Sequence, residues 1–139
     1  MIKIIENFES VYPLMKQLRP HLTIEQFIHI HDQAKAADQY TLIGYFENET
    51  CVGLMGLRTL FDYVHLKHIY IDDLVVEETK RSSGVGRKLL KHAEQIAQQQ
   101  DCTGLRLCTG HENYRGIKFY ENENWLQKAL VFKKKIPTI

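Results

Sequence analysis

Residues 74–87 read Leu74-Val75-Val76-Glu77-Glu78-Thr79-Lys80-Arg81-Ser82-Ser83-Gly84-Val85-Gly86-Arg87, and their types and spacing suit the binding of a phosphate group. An apolar strand delivers the chain to a polar turn with two glycines, and a helix opens there. The first backbone N–H groups of a helix lack intrahelical partners and point outward. With the helix dipole they form an anion site. Gly84 and Gly86 let a phosphate come close to the backbone, and Arg81 and Arg87 add charge-assisted contacts. Two common phosphate motifs are excluded. A Walker loop needs GxxxxGK followed by Ser or Thr, which is absent. A dinucleotide fingerprint needs a third glycine where Leu89 stands.

The run Arg81-Ser82-Ser83-Gly84-Val85-Gly86 resembles the pyrophosphate loop of the GNAT acyltransferase superfamily, whose pattern is R/Q-x-x-G-x-G/A. Asn113, Gly116, Phe119 and Tyr120 follow at the spacing of the family's second motif, N-x-x-A-x-x-F-Y. The resemblance covers nearly the whole chain, with its specific residues in 70–125. Asp72-Asp73-Leu74-Val75 followed by Arg81-Ser82 also looks like a subgroup of small GNAT proteins. The chain departs from the pattern twice. Gly116 replaces the usual alanine, which weakens a helix by about 1 kcal/mol and leaves space near the ligand. Asn124 replaces the glycine usual before the final aromatic, here Trp125, and asparagine tolerates the left-handed backbone of such a helix end.

The resemblance implies acetyl-CoA as acyl donor and an amine as acceptor. It assigns the strand Leu74, Val75 and Val76 to the pantetheine arm. The backbone of Leu74 and Val76 would pair with that arm, and the Val76 N–H would polarise the thioester carbonyl. The N–H groups from Ser82 through Ser83, Gly84, Val85 and Gly86 to Arg87 would hold the pyrophosphate. Asn113 would approach the pantetheine or the acyl sulfur, with Phe119 beside it in the motif. Tyr120 would protonate the departing thiolate. Family members are often homodimers, and the reaction needs no metal.

An attacking amine must be neutral, yet a lysine amine has a pKa of about 10.4. A base, direct or through water, therefore helps. Asp72 and Asp73 end the strand that leads to the loop. Strict alternation puts Asp72 on the face of Leu74 and Asp73 on the other. Parity makes Asp72 the first choice, and a bulge would reverse that choice, so Asp73 stays open. His111 is a further candidate for base or acceptor contact, against the simpler reading of a solvated loop histidine. Cys108 reads as a buried structural cysteine rather than a nucleophile. His29 and His31 are two apart on a helix and share no face, which argues against a metal site.

These groups need a scaffold. Ile2 to Ile5 reads as an edge strand. A helix over about 9–18 follows, with Ser10 as its cap and Pro13 tolerated near its start. Thr23-Ile24-Glu25-Gln26 is a capping-box signature, opening a helix with the apolar face Phe27, Ile30 and Ala34. Strands are expected at 41–47 and 51–60, joined by a turn at Asn48-Glu49, and at 68–76. A helix over 84–99 carries Val85, Leu89, Ala93, Ile96 and Ala97 on one face. A short strand at 105–109, a helix at 114–122 and a strand through Leu130, Val131 and Phe132 complete the order β-α-α-β-β-β-α-β-α-β. This is a single mixed α/β domain over 1–139, with a GNAT-like sheet flanked by helices.

Composition agrees with an ordinary globular chain: 139 residues, 44% hydrophobic and 25% charged. A net charge of +1 supplies no global field for nucleic acid or anionic lipid. The basic run Lys133-Lys134-Lys135 reads as a soluble strand end. Three widely spaced cysteines, Cys51, Cys102 and Cys108, fit neither a disulfide framework nor a zinc knuckle. No signal-peptide core or spanning apolar run occurs, so the expected home is the cytoplasm. Acceptor specificity is expected from residues 19–40 and 60–68, which mix Arg19, Lys35 and Lys67 with Glu25, Asp32 and Asp62. The competing reading is an acyl-CoA-binding regulatory module without turnover.

Overall fold

The computed structural model describes residues 1–138; position 139, the last of the expected domain, lies outside them. The elements are β1 (Ile2–Ile4), α1 (Phe8–Leu18), α2 (Ile24–Asp38), β2 (Thr41–Glu47), β3 (Thr50–Asp62), β4 (Leu66–Val76), α3 (Val85–Gln99), β5 (Leu105–Leu107) and α4 (Tyr114–Asn122). A single 3-10 turn, Glu78–Lys80, lies between β4 and α3. The chain divides into two compact units, Met1–Leu107 and Cys108–Ile139.

In the first unit the five strands lie in sequence order, β1-β2-β3-β4-β5. The first four are antiparallel and β4 pairs with β5 in parallel. A parallel neighbour needs a long crossover, and α3 supplies it. Consecutive residues Leu54 and Met55 of β3 are both fully buried. Neighbours on a strand point to opposite faces, so the sheet is covered on both. On the Leu54 side, Val11, Leu14, Met15, Phe27, Leu42 and Val75 form one core cluster with α1 and α2. On the other side, Val85, Leu89, Leu90, Ala93 and Ala97 form the buried stripe of α3. Burying such side chains contributes roughly 1.5–3 kcal/mol each for the larger ones.

Local chemistry sets the helix ends. The capping box at Thr23 is formed, with Gln26 N–H donating to Thr23 Oγ1 at 3.1 Å and Thr23 N–H to Gln26 Oε1 at 3.0 Å. In α1 the cap is Asn7 rather than Ser10: Ser10 N–H donates to Asn7 Oδ1 at 3.3 Å. The helix therefore starts at Phe8, which places Pro13 well inside it. Pro13 is exposed, so water can serve the carbonyl that its missing N–H leaves unpaired. In α2 the buried face is Phe27 and His31, while Ile30 is 58% exposed.

In the second unit, Asn113 caps α4 and Asn124 closes it at φ +67, the left-handed backbone expected of that asparagine. The strand expected through Leu130, Val131 and Phe132 is not formed, and these three residues are exposed. A strand exists only by pairing, and the described residues of this unit contain no other strand. Lys133, Lys134 and Lys135 are accordingly exposed but end no strand.

Candidate active site

The turn after β4 has the backbone of an anion cradle. Glu77 N–H donates to Val52 O at 2.8 Å, closing the β3–β4 ladder. The chain then turns through Ser82 at φ +67 and Gly84 at φ +91, and α3 begins at Val85. A left-handed residue favours glycine. Gly84 offers no side-chain cap, and the first turn of α3 carries no acidic residue. The space a Cβ would fill at Gly84 meets no atom within 4 Å, so a ligand can reach the helix terminus without obstruction. Lys80 is held by Glu47 at 2.9 Å and Lys88 by the Tyr45 hydroxyl at 3.1 Å, while Arg81 and Arg87 are exposed at the turn. These residues fit a pyrophosphate.

Among the described residues, no strand pairs with the edge of β4 that leads into this turn. β5 pairs only with Ile69, Tyr70 and Ile71. Hydrogen bonding alternates along an antiparallel strand, and Glu77 bonds toward β3. Leu74 and Val76 therefore direct their N–H and C=O groups away from β3, toward that open edge. Arg81 Nε donates to Val76 O at 3.4 Å, as this alternation requires. A linear amide-bearing ligand can add to the edge as another strand.

Beside this edge lies a pocket built from α1, α2, β3 and β4. The β3–β4 register shifts at Gly56/Leu57: Gly56 faces Asp73 and Leu57 faces Ile71. Asp72 is thus the extra residue of a bulge. The bulge breaks the alternation that was to put Asp72 and Asp73 on opposite faces, and both carboxylates line one cavity of about 360 Å³. Arg58 grips Asp72 with two bonds of 2.7 and 2.9 Å and reaches Asp38 at 3.1 Å. Arg19 donates to Asp73 at 3.0 and 3.1 Å and to the Asp72 carbonyl at 2.9 Å. The Tyr40 hydroxyl donates to the other Asp73 oxygen at 2.8 Å. Gly56 makes room for that phenol, since a Cβ there would lie 1.8 Å from the hydroxyl.

Burial pushes the Asp72 carboxyl above the usual aspartate range, against the opposing pull of Arg58. Burial and the neighbouring Asp73 push the Tyr40 phenol well up, so it stays protonated and donating. Sequence reasoning missed Tyr40, Arg58 and Asp38. Their types carried no spacing signal, because the end of α2, the linker before β2 and the strand β3 bring them together.

In the second unit, Asn113 accepts from Gly116 N–H at 3.1 Å and donates to Thr109 Oγ1 at 2.9 Å. A Cβ at Gly116 would fall 2.2 Å from Asn113 Nδ2. The room left by the missing alanine is therefore taken by the asparagine's own side chain, not kept open for a ligand. Tyr120 stacks edge-on with Phe119 at 5.2 Å and Trp125 at 6.0 Å. Burial raises its phenol above the ordinary value. Cys108 is exposed rather than a buried structural thiol. His111 is an exposed loop residue, 3.6 Å from Glu112.

One further cluster escaped the sequence reading. Asp62, His65 and His68 bring ligand atoms within 4.8 Å of one another. Arg106 Nε donates to His68 Nε2 at 3.0 Å and Nη2 lies 3.7 Å from Asp62, so a guanidinium supplies the positive charge. Asp62 also accepts from the N–H groups of Val64 and His65 at 3.0 and 2.6 Å. The His65 N–H, with the imidazoles of His65 and His68, holds its carboxyl down at about 2, and both backbone bonds fix the β3–β4 turn.

Comparison with known proteins gives the family. Residues 4–124 match the Acetyltransferase (GNAT) family, and the chain belongs to that family. An uncharacterised N-acetyltransferase of Bacillus subtilis, YhdJ, is 26% identical over 132 residues, covering 94% of this chain and 93% of its own. The thialysine N-epsilon-acetyltransferase of Bos taurus is 31% identical over 127 residues, covering 81% and 74%. Among solved structures, AAC(6')-Iy in complex with a bisubstrate analogue, CoA-S-monomethyl-acetylneamine, superposes with a TM-score of 0.86 at 17% identity, covering 99% of this chain and 98% of that one. At that identity the likeness concerns the fold. No helix among the described residues is long and apolar enough to cross a membrane.

Proposed function

We propose that this protein transfers the acetyl group of acetyl-CoA to a primary amine of a small molecule or peptide. The observation that carries the reading is the continuous run from the open β4 edge at Leu74 and Val76 into the unobstructed N-terminus of α3 at Gly84. A thioester donor with a pantetheine arm and a pyrophosphate needs both features in that order. Bound there, acetyl-CoA supplies an acyl carbon open to direct attack by the amine. The N–H groups of 82–87 and Arg81 hold the pyrophosphate charge. The Val76 N–H is placed to donate to the thioester oxygen.

Asp72 is assigned as the base that takes the ammonium proton, directly or through water. Its raised carboxyl is a better proton acceptor than an ordinary aspartate. Asp73, held by Arg19 and Tyr40, is assigned to positioning; both oxygens of Asp72 likewise accept from Arg58, so its assignment as base rests on its raised carboxyl. Tyr120, kept protonated by burial, is assigned to hand its proton to the departing thiolate. Asn113 and Phe119 are assigned to the donor on the family resemblance. The whole of 1–139 acting as one domain, a cytoplasmic setting for the three thiols and a homodimer are part of the same reading.

Calorimetric titration of acetyl-CoA, followed by CoA release with a panel of amines, tests it. Micromolar-range binding with amine-dependent release is expected. Binding without release for any amine, and no change on Tyr120→Phe, would instead mark a regulatory acyl-CoA-binding module.

A further inference from the structure

We infer that the acceptor is a monoamine with an apolar body rather than a polyamine or an aminoglycoside; this deepens, and rests on, the acetyltransferase reading. The cavity beside Asp72 and Asp73 holds about 360 Å³, at the small end of the roughly 300–1,000 Å³ of small-ligand sites. Its lining carries two guanidinium groups, Arg19 and Arg58, and two carboxylates, Asp72 and Asp73. These charges are already matched. Arg58 takes Asp72 with two bonds, and Arg19 with Tyr40 takes both oxygens of Asp73. Asp38, also bonded to Arg58, tips the balance by one negative charge.

That balance suits one ammonium. A polycation brings several, and an ammonium removed from water without its own carboxylate is strongly disfavoured. Apart from His21 and His31, the rest of the wall is apolar or aromatic, chiefly Leu22, Phe27, Ile30, Ala34 and Tyr40. Ile30 lines the cavity yet is 58% exposed, so an apolar body seated there would cover it and gain from doing so. The rings of Phe27 and Tyr40 add faces that attract a cation with a hydrocarbon stem.

The test uses the whole protein saturated with CoA and three probes: phenethylamine, spermidine and neamine. Binding is read by calorimetry, and acetylation of the same three is read with acetyl-CoA. Phenethylamine is expected to bind at least about tenfold more tightly than either polycation, and to show the highest kcat/KM. Equal or tighter binding of spermidine or neamine overturns the inference, as does binding of none of the three. Arg19→Gln gives a second reading, because it uncovers Asp73: spermidine affinity should rise about tenfold, and no rise would overturn the charge argument. Failure of CoA itself to bind would instead sink the acetyltransferase reading. CoA binding with the wrong order of amines would sink only the acceptor.

Discussion

The turn at 81–87 and the pocket around Asp72 and Asp73 are built from different materials. The turn uses backbone: left-handed residues at Ser82 and Gly84, and helix N–H groups that any side chains could present. The pocket uses side chains from α1, the end of α2, β3 and β4, fixed by one bulge and a lattice of charged hydrogen bonds. A backbone site tolerates change in its neighbours but not in its glycine. A side-chain site fails wherever one partner is removed, because a buried charge is left unmatched.

The comparison can be broken most severely at Asp72. Asp72→Asn should lower kcat by about 100-fold, the usual scale of a lost general base. The raised carboxyl places the acidic limb of the kcat/KM profile above the ordinary aspartate range, and that limb should vanish in the variant. An unchanged limb would assign the base elsewhere. Gly84→Glu strikes the other region. It forces an L side chain into φ +91, at a cost of about 1–2 kcal/mol, and sets a carboxylate in the anion cradle. Acetyl-CoA affinity should fall by about 100-fold by calorimetry, while the strain lowers Tm by several degrees.

Gly56→Ala sharpens the contrast by acting on the pocket through the Tyr40 ring and its hydrogen bond to Asp73. Its Cβ would meet Tyr40 Oη at 1.8 Å. Displacing that ring should destabilise the fold by about 1–3 kcal/mol in chemical denaturation, while acetyl-CoA still binds. The smallest effect is expected at the β3–β4 turn, remote from both regions. Asp62 has a folded pKa of about 2, below its unperturbed 3.8. Its contribution is therefore present above the unfolded value and lost as pH falls through about 2. Relative to intrinsic exchange, protection of the Val64 and His65 amides should fall over that acid window, and Asp62→Asn should abolish that fall.

Much of the turn was legible in the sequence because its signals are local. Two glycines at fixed spacing after an apolar strand and before an amphipathic stripe specify the backbone within one stretch of chain. The capping box at Thr23 and the left-handed Asn124 were legible for the same reason. Ser10 misled because Asn7, three residues earlier, competes for the same helix end. The strand expected at 130–132 misled because composition states a preference, whereas pairing depends on a partner.

By itself, then, the sequence determined the order of elements from β1 to α4, the glycine-bearing turn that opens α3 and the membership of an acetyltransferase family that its motifs express. All of these depend on neighbours a few residues apart. Only the tertiary structure decided that Asp72 and Asp73 share one cavity, that Arg19, Arg58 and Tyr40 hold them, and that Gly116 serves Asn113. A bulge shifts side-chain parity without altering composition, and charges from distant elements meet only after the chain has folded.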